Sequence, residues 1–148
     1  MDTMTDKFVF FMQQPVFRLA YAVIWTALAT LLLLQSSVEP VIGPAASPGE
    51  LTLTGELLMF TGHAVVFTGM TALWWWAFAT ASPPHRALAI TVIAMLAMGT
   101  LTEMLQTFSN SRNPSLDDLS VNWLMTIATA LFIQLRMQRR QPRPASKP

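Results

Sequence analysis

The sequence predicts an all-α protein, a four-helix transmembrane bundle with both termini cytoplasmic. Three observations predict it. Of the 148 residues, 53% are hydrophobic and only 11% are charged, whereas an ordinary soluble domain carries about 25% charged residues. The charges fall between four long apolar stretches, 19–34, 57–81, 87–108 and 119–135, and Glu103 is the one charge inside them. The lysines and arginines, finally, are distributed very unevenly about those stretches. The high apolar fraction and a net charge of +1 exclude a disordered chain. The absence of cysteine excludes a disulfide framework and a thiolate metal site. No run alternates polar and apolar residues, so an outer-membrane barrel is not expected.

The elements follow in order. Spanning about 30 Å of hydrocarbon takes roughly 20 mainly apolar residues. The first stretch reaches that length by including Pro15, Val16 and Phe17, and Pro15 suits a first helical turn, where a missing N–H costs nothing. Residues 1–14 form an N-terminal cytoplasmic or interfacial segment, with the apolar run 8–12 lying along the membrane surface. The first stretch is longer than a signal-peptide core, and the nearest small-residue pair, Ala45 and Ala46, lies well beyond it. It is therefore read as an uncleaved helix. Residues 36–55 contain Pro40, Pro44, Pro48, Gly43, Gly49 and Gly55, the composition of a loop. The second and third stretches clear the spanning length unaided. Between them, Ser82-Pro83-Pro84 makes a tight connection that can also cap the third helix. Residues 109–114 end that helix. Ser115-Leu-Asp-Asp118 then matches a capping box opening the fourth, which runs on towards Arg136. The membrane domain is thus 15–135. The tail 136–148, with Pro142, Pro144, Pro148 and five basic residues, is expected to be disordered and cytoplasmic.

Cytoplasmic loops are enriched in Lys and Arg. With both termini inside, Lys7, Arg18, Arg86, Arg136, Arg139, Arg140, Arg143 and Lys147 are all internal, and only Arg112 is outside. Trp74, Trp75 and Trp76 then fall at the inner end of the second helix, at headgroup depth, with Trp123 near the outer end of the fourth. The expected location is the inner (plasma) membrane of a bacterium.

This orientation gathers the costly residues at one depth. His63, Glu103, Gln106, Asp118 and Asn122 come from three helices and Arg112 from the outer loop, all in the outer third of the membrane. A charge at mid-membrane costs about 2.5–3.5 kcal/mol on insertion scales, so the cheapest arrangement turns these groups toward one another. Each has a plainer role beside a functional one. Glu103 is a functional-site residue by default inside a span, or a hydrogen-bond clamp between helices. His63, a residue type able to change charge near neutral pH, could equally bond a neighbouring helix. Asp118 belongs to the capping box, and Arg112 could be a simple loop charge or a partner for Glu103. Gln106 and Asn122 are of the kind that joins transmembrane helices, while Gly62, Gly69 and Gly99 let backbones approach.

Familiar chemistries are missing. There is no phosphate-binding glycine loop and no nucleophile elbow. A metal would have to use His63, Glu103 and Asp118, with His85 at the opposite face, so neither metal nor haem is expected. Nothing suggests a cofactor or nucleic acid. The bilayer is the one partner the composition requires, and the basic tail could touch its anionic lipids.

His63-Ala-Val-Val-Phe67, Glu103-Met-Leu-Gln106, Arg112, Ser115-Leu-Asp-Asp118 and Asn122 together resemble the VanZ-like family of small bacterial membrane proteins. The resemblance covers about 55–135, and its Glu-x-x-Gln, Arg and Asp-x-x-x-Asn run is fairly specific. It implies a cell-envelope protein in the context of glycopeptide tolerance, without implying a reaction. Two departures mark a divergent member. Met59 and Phe60 stand where the family often has an Asp-Lys pair, and no glycine follows Asn122 through Thr129. Three functions compete: a non-enzymatic module whose polar cluster binds an envelope lipid headgroup or a glycopeptide-related ligand, an accessory subunit of a larger membrane complex, and an enzyme on a lipid-linked substrate with Glu103 or His63 as general acid or base. The first is the expectation.

Overall fold

In the computed structural model, residues 14–34, 53–108 and 115–140 are described. They form four helices and no strand: α1 (Pro15–Leu34), α2 (Leu53–Phe78), α3 (Pro84–Gln106) and α4 (Leu116–Arg140). Three of them, over Pro15–Leu33, Pro84–Gln106 and Leu116–Arg140, are long and apolar enough to cross a membrane. α2 has 26 residues, about 39 Å at 1.5 Å per residue, and packs against all three others.

The polarity is inverted relative to a soluble protein. Large apolar side chains such as Val16, Leu31, Phe60, Val65, Ile93, Leu124 and Phe132 point outward, while His63, Thr71, Thr91, Thr102, Glu103, Gln106, Asn122 and Thr126 are buried. Hydrocarbon solvates the first set and not the second. The inward stripes repeat at helical spacing: Ala22, Thr26, Ala29 and Leu33 in α1, and Thr91, Met95, Gly99, Thr102 and Gln106 in α3. Small side chains on these stripes bring backbones together. At Gly99 an added Cβ would stand 3.2 Å from Asn122 Cβ and 3.4 Å from the Phe67 ring. At Gly69 it would meet the Trp25 indole at 2.9 Å. The apolar centre is Ala29, Leu33, Val66, Phe67, Met70 and Met95, and a second patch of Leu88, Ala130 and Ile133 lies near the other end. The buried threonines are satisfied within their own helices; Thr71, Thr91 and Thr126 donate to the carbonyls of Phe67, Ala87 and Asn122.

Neighbouring helices run antiparallel. Trp74 Nε1 donates to Thr26 Oγ1 at 2.8 Å and Trp25 Nε1 to Val66 O at 3.4 Å, joining α1 to α2. Trp75 Nε1 reaches Pro84 O, and Trp123 Nε1 reaches Leu96 O. The starts of α1 and α3 therefore share one end with the close of α4.

Several boundaries depart from expectation. α2 begins at Leu53, inside the stretch read as loop, and α3 stops at Gln106, short of the 108 that its apolar stretch reaches. Pro84 opens α3 as expected, but the residue before it is Pro83 and no side chain caps the helix. α4 continues through Arg140, so the first part of the tail read as disordered is helical. Its last turn carries Arg139 and Arg140, which favour the negative end of a helix dipole. Residues 1–13, 35–52, 109–114 and 141–148, which include the interfacial segment, most of the outer loop, Arg112 and the end of the tail, lie outside the described residues.

Candidate functional site

The end formed by the close of α1 and α3 and the starts of α2 and α4 brings together five of the six residues singled out in the sequence. His63, Glu103, Gln106 and Asn122 are buried, Asn122 completely, and Asp118 is half-buried. The sixth, Arg112, belongs to the undescribed 109–114.

His63 is the hub. Its Nδ1 lies 2.8 Å from Asn122 Oδ1. A carbonyl oxygen only accepts, so the Nδ1–H donates, which fixes the ring with Nε2 facing outward from Asn122. There Nε2 stands 3.9 Å from Asp118 Oδ2, an ion pair when the imidazole is protonated. Asp118 and Asn122 are four residues apart on α4 and so present one face to α2. The imidazole thus bridges two side chains of a single helix.

Glu103 acts elsewhere. Its Oε2 accepts the Ser115 N–H at 3.1 Å. Ser115 Oγ in turn accepts the N–H groups of Asp117 and Asp118 at 3.2 and 3.4 Å. The forward half of the capping box is therefore formed as the sequence predicts. The Asp118 carboxylate also lies near His63. Glu103 from α3 accepts the Ser115 N–H, and a carboxylate at a helix start also suits the positive end of the dipole. Glu103 thereby sets where α4 begins and where Asp118 and Asn122 stand.

Gln106 ties in the remaining helix, since its Nε2 donates to Leu33 O at 3.0 Å. That carbonyl lies in the last turn of α1, where no intrahelical partner is available. Sequence reasoning placed Gln106 in the cluster but had no signal for this partner. It named Gly99 as a point of close approach, and the structure supplies the partner, Asn122.

At this end of the bundle, Asn122 Nδ2, a donor, and Gln106 Oε1, an acceptor, are buried without a hydrogen-bond partner among the described residues. His85, exposed at the start of α3, belongs to the opposite end and takes no part. No three His, Asp or Glu side chains come within metal-holding distance among the described residues. Comparison with protein-family models, curated proteins and solved structures finds no match for the chain.

Proposed function

We propose that the chain is a four-span, VanZ-like, non-enzymatic protein of the bacterial inner membrane whose outer-end cluster takes up a polar group of an envelope molecule, such as a lipid headgroup or a glycopeptide-related ligand. The observation that carries this reading is the pair of buried atoms Asn122 Nδ2 and Gln106 Oε1. Native proteins leave few buried polar atoms unsatisfied, and each such atom asks for a water, an ion or a ligand. A donor and an acceptor at one end of the bundle suit a hydroxyl or an amide, each of which both donates and accepts.

Four spans are supported by the length of α2 and by its outward-facing Leu57, Phe60 and Val65. Cytoplasmic termini are supported by Arg18, Arg86, Arg136, Arg139 and Arg140 standing at one end of the bundle, opposite Glu103, Asp117 and Asp118. The resemblance in 55–135 supports the envelope context.

The test is native mass spectrometry of protein extracted with its own envelope lipids. The wild type should keep a discrete adduct that Gln106→Met loses at unchanged helical content. A second reading, an accessory subunit whose cluster only holds its own helices together, is favoured by the His63–Asn122 and Gln106–Leu33 bonds, each of which joins two helices. It predicts no adduct in either protein and a stoichiometric partner that survives Gln106→Met.

A further inference from the structure

The end of the bundle opposite the cluster is its most strongly charged surface. Arg18 at the start of α1, Arg86 at the start of α3, and Arg136, Arg139 and Arg140 at the close of α4 meet there. The described acidic side chains, Glu103, Asp117 and Asp118, all belong to the other end. Trp75 of α2 joins α3 to α4 here, packing with Met137 against Leu88, Ala130 and Ile133.

Arg18 differs from the other four, which are exposed, in being half-buried. Its guanidinium lies 4.7 Å from the centroid of the Trp76 ring, and Nη1 donates to Trp76 O at 3.4 Å. That carbonyl is in the last turn of α2, so the cation also meets the negative end of a helix dipole. Nε is enclosed and has no acceptor among the described residues, and no described carboxylate pairs with this arginine. Among the described residues, a full positive charge is thus held by one long hydrogen bond and an aromatic face. An anion is the missing partner, and guanidinium matches the oxygens of a phosphate better than any other side chain. Val16 and Leu19, exposed on either side of Arg18, continue the surface into hydrocarbon, which suits an anion carrying acyl chains rather than a soluble one.

We propose that this end holds the phosphate of an anionic phospholipid, with Arg18 as its anchor against Trp76 and the exposed arginines of α3 and α4 concentrating such lipids around it. The proposal rests on the chain lying in a bilayer and is independent of the outer-end cluster.

The experiment is tryptophan quenching in reconstituted bilayers of phosphatidylcholine, comparing brominated phosphatidylglycerol with brominated phosphatidylcholine. The wild type should prefer the anionic lipid, and Arg18→Gln should lower that preference roughly fivefold, the equivalent of one arginine near an anionic surface. Arg18→Lys, which keeps a cation for the α2 carbonyl, should lose preference too and carries the test if Arg18→Gln fails to fold. Excess inorganic phosphate should leave the quenching unchanged. A preference unaltered in both Arg18 variants, with loss only in Arg139→Gln/Arg140→Gln, would overturn the site in favour of a diffuse field. Displacement by inorganic phosphate would overturn the lipid as its occupant.

Discussion

At the scale of single residues, His63 and Asn122 form a short contact between helices, 2.8 Å between buried groups. Side-chain bonds between membrane helices contribute about 0.6 kcal/mol on average and up to about 1.7. A double-mutant cycle on His63→Phe and Asn122→Leu, followed by unfolding in mixed micelles, should return a coupling in the upper half of that range, because either partner alone is left buried and unsatisfied. A coupling of zero would mean the two side chains do not bond. The glycines give a second series. Gly62 has open space around its would-be Cβ, so Gly62→Ala should stabilise by about 0.5–1 kcal/mol through helix propensity. Gly99→Ala should destabilise, since Asn122 Cβ is fixed to the α4 backbone and the helices must part. Gly69→Ala falls between them: the Trp25 indole is partly exposed and can swing away, giving up its bond to Val66 O.

At the scale of elements, the start of α4 is built by α3. Ser115→Ala removes the side-chain acceptor of two orphan N–H groups and should cost about 1 kcal/mol. Glu103→Gln keeps an oxygen for the Ser115 N–H and should be milder than Glu103→Leu, measured as thermal stability in detergent. The same pair separates positioning from chemistry: turnover on a lipid-linked substrate that vanished in Glu103→Gln at unchanged stability would favour the enzymatic reading. The tryptophans act as stitches at this scale. Four of the five indole N–H groups donate to an acceptor on another helix. Their apolar bodies and polar edges allow this without burying an unpaired donor. The expectation that Trp74 to Trp76 mark an interface is therefore joined by a second role, since Trp74 locks α1 to α2 through Thr26.

At the scale of the whole molecule, the bundle buries polar side chains beside an apolar centre, turns large apolar side chains outward, and has the charges of its described residues sorted between two ends. The sorting predicts topology. Cysteines introduced in 36–52 and 109–114 should be labelled by an impermeant reagent from outside, and a reporter fused after residue 148 should report the cytoplasm. Labelling of the same loops only after permeabilisation would invert the bundle, placing its basic end outside.

The sequence by itself determined the helical class, the placement of four helices and the clustering of five polar side chains at one end. Each rests on a local or one-dimensional quantity: run length, apolar periodicity, and the cost of a lone charge in hydrocarbon. Boundaries were less legible, as at Leu53 and Arg140, because composition and proline positions mark a helix end only to within a turn or so. Only the tertiary structure decided the partners. That Glu103 meets the Ser115 N–H while Asp118 lies near His63, and that Gln106 finds the Leu33 carbonyl, depends on how far each helix is rotated and shifted against the next. Packing of small residues such as Gly99 sets that rotation, and a pattern along one chain carries no record of which face of another helix lies opposite.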